Sequence, residues 1–210
     1  MRSHIMFWNV EGLNLDTAND SLRRQRFYRF LEQEKPNLLI LSEFHGGAIP
    51  GYSCVYDEPV VVDDQGHGRT RNSTDRIAVF YRHKGGILPH PVTPVACGGQ
   101  QFGVKVDFNY DFYHSYTVIG VHLDPWDAKK RAAQLECTLG EMSENTLLMG
   151  DMNSDRSPIV RLGAMMISRL QNVKEPEPLK VLENSGLTWL NNGQRTWPTH
   201  KKVRGVLGGL

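Results

Sequence analysis

The chain reads as short apolar runs separated by polar, turn-rich stretches. Residues 5–10, 38–41, 77–81, 102–108, 116–121 and 146–149 are short and often β-branched or aromatic, the pattern of strands. Phe102, Val104, Val106 and Phe108 alternate with Gly103, Lys105 and Asp107, which predicts a strand buried on one face. Leu38-Leu39-Ile40-Leu41 is apolar throughout and predicts burial on both faces. Three stretches carry helical spacing. The first is capped at Asp20-Ser21, runs through Leu22, Phe27, Phe30 and Leu31, and is stopped by Pro36. The second starts at Asp127 and runs through Arg131, Leu135, Leu139 and Met142. The third has Pro158 as its first residue and carries Leu162, Met165, Met166 and Leu170, a Met-rich face read as core packing. Arg23, Arg24, Arg26 and Arg29 are read as the solvent face of the first helix. Residues 57–75 read as a long surface loop and 174–178 as a turn. No repeat, low-complexity tract or linker interrupts the pattern, so a single domain over residues 1–210 is expected.

Composition narrows the class. The 210 residues are 40% hydrophobic, enough for one sizeable core. With 24 Lys and Arg against 23 Asp and Glu the net charge is +1, which excludes a strongly polyanion-seeking surface as a property of the whole chain but not local basic patches. No segment reaches the roughly 18 uninterrupted apolar residues of a membrane span. The apolar stretch near the amino terminus is too short for a signal peptide. Cys54, Cys97 and Cys137 are odd in number, with no C-x-x-C pair, and predict reduced thiols rather than a disulfide or zinc framework. A cytoplasmic location is the expectation that follows; oligomeric state is left open.

Four apolar runs end in residues suited to metal or phosphate chemistry. Ile5-Met6-Phe7-Trp8 ends at Asn9, Leu39-Ile40-Leu41-Ser42 at Glu43, Val118-Ile119-Gly120-Val121 at His122, and Leu147-Leu148-Met149-Gly150 at Asp151, with Asn153 just beyond. Strands commonly end in polar residues, but four ends of these types predict a common cleft at one rim of packed sheets. Carboxylates and a carboxamide are hard oxygen donors. One or two carboxylates leave positions for water and substrate phosphate, the habit of Mg²⁺ or Mn²⁺. Zinc is disfavoured, because His114 and His122 do not form H-E-x-x-H.

Phe7-Trp8-Asn9-Val10, Leu39-Ile40-Leu41-Ser42-Glu43, Ile77-Ala78-Val79-Phe80-Tyr81, Gly120-Val121-His122-Leu123 and Leu148-Met149-Gly150-Asp151-Met152-Asn153 resemble, in order and spacing, the motifs of the endonuclease/exonuclease/phosphatase superfamily. The resemblance covers nearly the whole chain, with Thr196-Trp197 similar to a further element. It implies a DNase I-like α/β fold, a four-layer sandwich of two mixed sheets flanked by helices. It also implies roles: Glu43 on the metal with Asn9 organising metal and substrate, Asp151 positioning or activating water, Asn153 orienting Asp151 and the phosphate, and His122 contacting the scissile phosphate or leaving group. In-line phosphoryl transfer asks the same of these groups.

The resemblance also implies a closing Asp and a Ser-Asp-His motif, and no Asp-His pair occurs in the sequence. The chain ends at Leu210, soon after Trp197, so the sequence-based expectation is a fold lacking its final strands, with impaired or absent activity. Asp151 would act alone as the base, and a carboxylate is ordinarily a weak one at neutral pH. The leading functional expectation is a Mg²⁺-dependent phosphodiesterase of nuclease type acting on a phosphate-ester substrate. The alternatives are an inactive binding protein that keeps the fold, or an enzyme for phosphoinositide, sphingomyelin or nucleotide esters. Nucleic acid is preferred over lipid because no apolar membrane-binding hairpin or basic amphipathic helix is evident. Arg69, Arg71, Arg76, Arg82 and Lys84 form one basic group, from which Arg76 is a candidate phosphate contact; Arg195, His200, Lys201, Lys202 and Arg204 form another. Trp126 is a candidate to stack on a base.

Overall fold

Strand β1 (Ile5–Leu13) leads through helix α1 (Ser21–Glu34) to strand β2 (Leu38–Phe44), and the two strands pair in parallel from Ile5↔Leu38 to Asn9↔Ser42. A parallel pair cannot be joined by a tight turn, so a crossover element is required. Lys35 closes α1 in the left-handed region at φ 48°, its N–H on the Leu31 carbonyl at 2.9 Å, and Pro36 bars continuation. The computed structural model describes residues 4–17, 21–59, 76–84, 88–109, 115–125, 127–153, 181–182, 184–185 and 187. These fall into two compact units, one holding the first sheet and one the second.

The first sheet is completed by β3 (Tyr52–Pro59) and β4 (Arg76–Arg82), in the order β1-β2-β4-β3 with β2, β4 and β3 antiparallel. Leu38, Leu39, Ile40 and Leu41 are all at 0% exposure, as their unbroken apolar run predicts. Each such burial stabilises by about 1.5–3 kcal/mol relative to exposure. Phe27 and Leu31 of α1 bury against this sheet, and Trp8 packs on Phe27 and Phe30 with ring centroids 5.4 and 4.8 Å apart.

The second sheet has the order β5-β6-β7-β8, from β5 (Leu88–Cys97), β6 (Gln100–Asn109), β7 (Ser115–His122) and β8 (Thr146–Asp151). β7 and β8 are parallel, joined through helix α2 (Ala128–Gly140). Asp127 caps α2, its carboxylate accepting from the N–H groups of Lys129 at 2.8 Å and Lys130 at 3.2 Å. Leu135 of α2 is buried among Val95, Phe102, Ile119, Val121 and Leu123. The architecture is therefore α/β, with two mixed four-stranded sheets and crossover helices. No described helix is long and apolar enough to cross a membrane.

Two strands escape the hydrophobic pattern. β5 carries Pro89, Pro91 and Pro94, which would break a central strand; it lies at a sheet edge and its register shifts between Pro89 and Val92. β3 is likewise an edge strand, with Ser53, Cys54 and Val55 exposed. It corrects the surface-loop reading of residues 57–75 at its start, since Asp57, Glu58 and Pro59 are paired strand residues. The rest of that loop, Asp20, the helix begun at Pro158 and the 174–178 turn lie outside the described residues.

The expectation of three reduced thiols is also corrected. Cys97, ending β5, and Cys137 of α2 form a disulfide with Cα atoms 5.9 Å apart. Their separation of 40 residues hid a contact that only the packing of α2 over β5 creates. The argument for a reducing compartment falls with it. Without reductant, alkylation followed by mass spectrometry should label Cys54 alone, and slowly at neutral pH because partial desolvation of its sulfur, though the residue is exposed, pushes the thiol pKa up. Reduction should expose two more thiols and cost about 4 kcal/mol of stability by loop-closure entropy. Three labelled thiols before reduction would restore the reduced reading.

Candidate functional site

In the first unit, the parallel ladder of β1 and β2 ends where the candidate residues begin. Register is regular to Asn9↔Ser42 and then shifts on both sides of β2, between Asn9 and Leu13 and between Ser42 and Phe44. The ladder sets Ser42 beside Asn9, and its regular continuation would turn Glu43 to the other face, because side chains alternate. Instead Glu43 takes φ 53°, a left-handed conformation costing a non-glycine residue about 1 kcal/mol or more. The resulting bulge brings its carboxylate to Asn9, whose Nδ2 donates to Glu43 Oε1 at 3.0 Å. Asn9 Oδ1 accepts from the Glu11 N–H at 3.0 Å. Both ends of the carboxamide are engaged in one self-consistent orientation, so Asn9 orients Glu43.

Arg23 corrects another expectation. Its guanidinium leaves the solvent face of α1 and donates to the carbonyls of Val10 and Glu11, the latter at 2.8 Å, bracing the irregular stretch of β1. Arg24 likewise donates to the Leu15 carbonyl at 3.1 Å. Only contacts distant in sequence reveal these roles, since an arginine on a polar helix face reads as solvated.

The second unit gathers the other three candidates. His122 ends β7 and Asp151 ends β8; they are register partners in a parallel pair, so they share one face at about the 4.8 Å strand spacing. His122 is buried and Asp151 half-buried. Asp151 Oδ1 accepts from the Asn153 N–H at 2.9 Å, a tight turn that sets Asn153 at φ 47°. The Asn153 side chain donates to the Leu123 carbonyl at 2.7 Å, and the Leu123 N–H donates to the Asp151 carbonyl at 3.0 Å. The two strand ends are thus laced together immediately beyond His122.

Both units follow one construction rule. Chemistry-bearing side chains sit at the carboxyl ends of parallel strands joined by a crossover helix, where α/β sheets commonly place ligand groups. Glu11, Glu43 and Asn153 account for three of the four described non-glycine residues with positive φ. Glu43 and Asp151 each carry a carboxylate, a donor type suited to a hard cation, but among the described residues no three His, Cys, Asp or Glu side chains form a metal cluster.

The basic group around β4 is divided. Arg76 opens the strand opposite Phe44, next to the Glu43 bulge, while Arg82 lies at the other end, about 20 Å away by strand rise. Arg76 is tied to the neighbouring edge strand, its Nε donating to Asp57 Oδ1 at 2.5 Å and a terminal nitrogen to the Asp57 carbonyl at 2.6 Å. Trp126, Arg69, Arg71, the Arg195 to Arg204 group and Thr196-Trp197 lie outside the described residues.

The sequence model of the Endonuclease/Exonuclease/phosphatase family matches residues 6–205. No curated protein matches the chain. Among solved structures, the human Nocturnin catalytic domain is similar with a TM-score of 0.56 at 14% identity, covering 75% of this chain and 67% of that one. A mannosyl-6-phosphatase of Bacteroides thetaiotaomicron gives 0.54 at 16% identity, covering 74% and 67%. ANGEL2, a 2′,3′-cyclic phosphatase, gives 0.55 at 18% identity, covering 91% of this chain and 63% of that one. At these identities the similarity speaks for the fold.

Proposed function

Because the chain belongs to the endonuclease/exonuclease/phosphatase family, we propose that it is a single-domain, divalent-metal-dependent phosphoesterase of nuclease or phosphodiesterase type. The observation that carries this reading is Glu43, a carboxylate held off the ladder in a strained backbone conformation and oriented by Asn9. Strain of this kind persists where the surroundings impose it, and it concentrates at functional positions. Glu43, with Asn9 behind it, is suited to hold Mg²⁺ or Mn²⁺, which when bound would neutralise charge developing on phosphate oxygens. Asp151, its carboxylate fixed by the Asn153 N–H, is suited to align an attacking water. His122, buried at the adjacent strand end, is suited to donate a hydrogen bond to the phosphate or leaving group. Arg76 and Trp126 complete the proposal as substrate contacts.

The related structures named as a mannosyl-6-phosphatase and a 2′,3′-cyclic phosphatase widen the ester classes to be tested. Single-stranded DNA, a 2′,3′-cyclic nucleotide, a sugar phosphate and bis(p-nitrophenyl) phosphate form the panel, each with Mg²⁺, Mn²⁺ or excess chelator. The expected result is metal-dependent cleavage of diesters, DNA included, slow because the sequence has no Asp-His pair to assist Asp151, and abolished by chelation. Preference for the sugar phosphate would replace the nuclease reading with a phosphatase. Binding without turnover would make the chain a binding protein, and equal rates with chelator would remove the metal.

A further inference from the structure

We infer that Gln134 and Arg131 of α2 are positioning residues for His122 and Asp151, acting through the backbone of the two residues that follow His122. The inference rests on the phosphoesterase reading above for its kinetic consequence, and on the second unit alone for its geometry. β7 ends at His122, so the chain beyond it loses the ladder partners that hold a strand and must find others.

It finds all of them. The Leu123 N–H donates to the Asp151 carbonyl at 3.0 Å, and the Leu123 carbonyl accepts from Asn153 Nδ2 at 2.7 Å. The Asp124 N–H donates to Gln134 Oε1 at 2.8 Å, and the Asp124 carbonyl accepts from a terminal nitrogen of Arg131 at 2.9 Å. Four backbone groups in succession are therefore satisfied, one by the last residue of β8, one by Asn153 in the turn after it, and two by α2. The Asp124 carboxylate ties the loop to the start of the same helix, accepting from the Asp127 N–H at 2.8 Å with Lys130 Nζ 3.6 Å away.

The burial argues for purpose. Leu123 is 0% exposed, Gln134 6% and Asp124 7%. A helix that merely covered a sheet would present an apolar residue at position 134, beside Leu135, because a buried amide is costly unless hydrogen-bonded. Gln134 instead supplies an acceptor for a backbone group one residue removed from the Leu123 clamp. Loss of that acceptor leaves a buried N–H unsatisfied and frees residues 123–124 to rotate. The displacement passes directly to His122. It also passes through Leu123 and Asn153 to the N–H that fixes Asp151.

The test compares Gln134→Leu, which removes the acceptor at similar volume, with Gln134→Glu, which keeps an oxygen there. Thr138→Val is the control, since Thr138 Oγ1 donates at 2.8 Å to the Gln134 carbonyl, a bond internal to α2. Amide hydrogen exchange is measured at Leu123 and Asp124, and kcat and KM on bis(p-nitrophenyl) phosphate with Mg²⁺. Gln134→Leu should speed exchange at both amides and lower kcat by about 10- to 100-fold with KM little changed, the mark of lost alignment. Gln134→Glu should restore most of both, and Thr138→Val should lower Tm without the kcat loss. Unchanged exchange in Gln134→Leu, or an equal kcat loss in Thr138→Val, overturns the inference. If the unmodified chain hydrolyses nothing, the phosphoesterase reading fails, and the exchange measurement still decides whether Gln134 holds the loop. Should Gln134→Leu not fold, Arg131→Met removes the companion bond to the Asp124 carbonyl and must show the same pattern at smaller size.

Discussion

Replacing Glu43 by Gln is expected to lower kcat/KM for metal-dependent phosphoester hydrolysis by about 10³-fold, or about 4 kcal/mol of transition-state stabilisation. The substitution keeps the side chain's length and an oxygen that can accept from Asn9 Nδ2, so it removes little besides the negative charge. That charge is what a hard divalent cation requires. Weakened metal binding should make the loss depend on metal concentration, with partial recovery as Mg²⁺ is raised into the tens of millimolar, about tenfold above ordinary assay levels. Asn9→Ala leaves the carboxylate but removes the group that orients it, and about 10- to 100-fold is expected. The double variant should fall short of the product of the two single losses, because both act through one contact.

The backbone at Glu43 supplies an independent readout of the same residue. At φ 53° a glycine would relieve the strain, so Glu43→Gly is expected to be at least as stable as the parent, by up to about 1 kcal/mol, while inactive. Stability and activity moving in opposite directions is the signature of a strained functional position. Activity retained by Glu43→Gln at low Mg²⁺ would remove Glu43 from the metal site and, with it, the main support for the proposed function.

The strand ends that carry the chemistry were legible in the order of residues because each apolar run stops at the residue concerned. The run through Leu41 and Ser42 leads to Glu43, and the run through Met149 and Gly150 leads to Asp151. Hydrophobic periodicity reports burial, and burial ends where these strands leave the sheet. The bulge was not legible. Periodicity alone assigns Glu43 to the face opposite Asn9, and only the left-handed turn at Glu43 reverses that. Two strands, β3 and β5, were hidden for a related reason. β3 is exposed and β5 is rich in proline, so neither carries the apolar signal that marks a central strand. The Cys97–Cys137 bond, Arg23 on β1 and Gln134 under Asp124 all depend on contacts created by helix packing, which local pattern does not encode.

The largest expected effect on stability comes from Gly150→Ala. Gly150 has φ +154°, and a Cβ built there would lie 2.0 Å from the Val121 carbonyl oxygen and 2.8 Å from the Val121 nitrogen. Those are backbone atoms of the neighbouring strand, so no rotamer change can make room. β8 would have to withdraw from β7 at the register pair Val121↔Gly150, breaking ladder bonds beside His122↔Asp151. A cost of about 4 kcal/mol or more is expected, a large part of a typical domain's stability, with Tm lower by about 10 °C. Because the clash sits one residue before Asp151, any folded fraction should also lose activity per molecule, having moved the carboxylate away from its partner strand. Thermal melting and active-site-normalised kinetics separate the two losses. A variant that melts normally would show that β7 and β8 tolerate a wider spacing, and would sever the link between the glycine and the placement of Asp151.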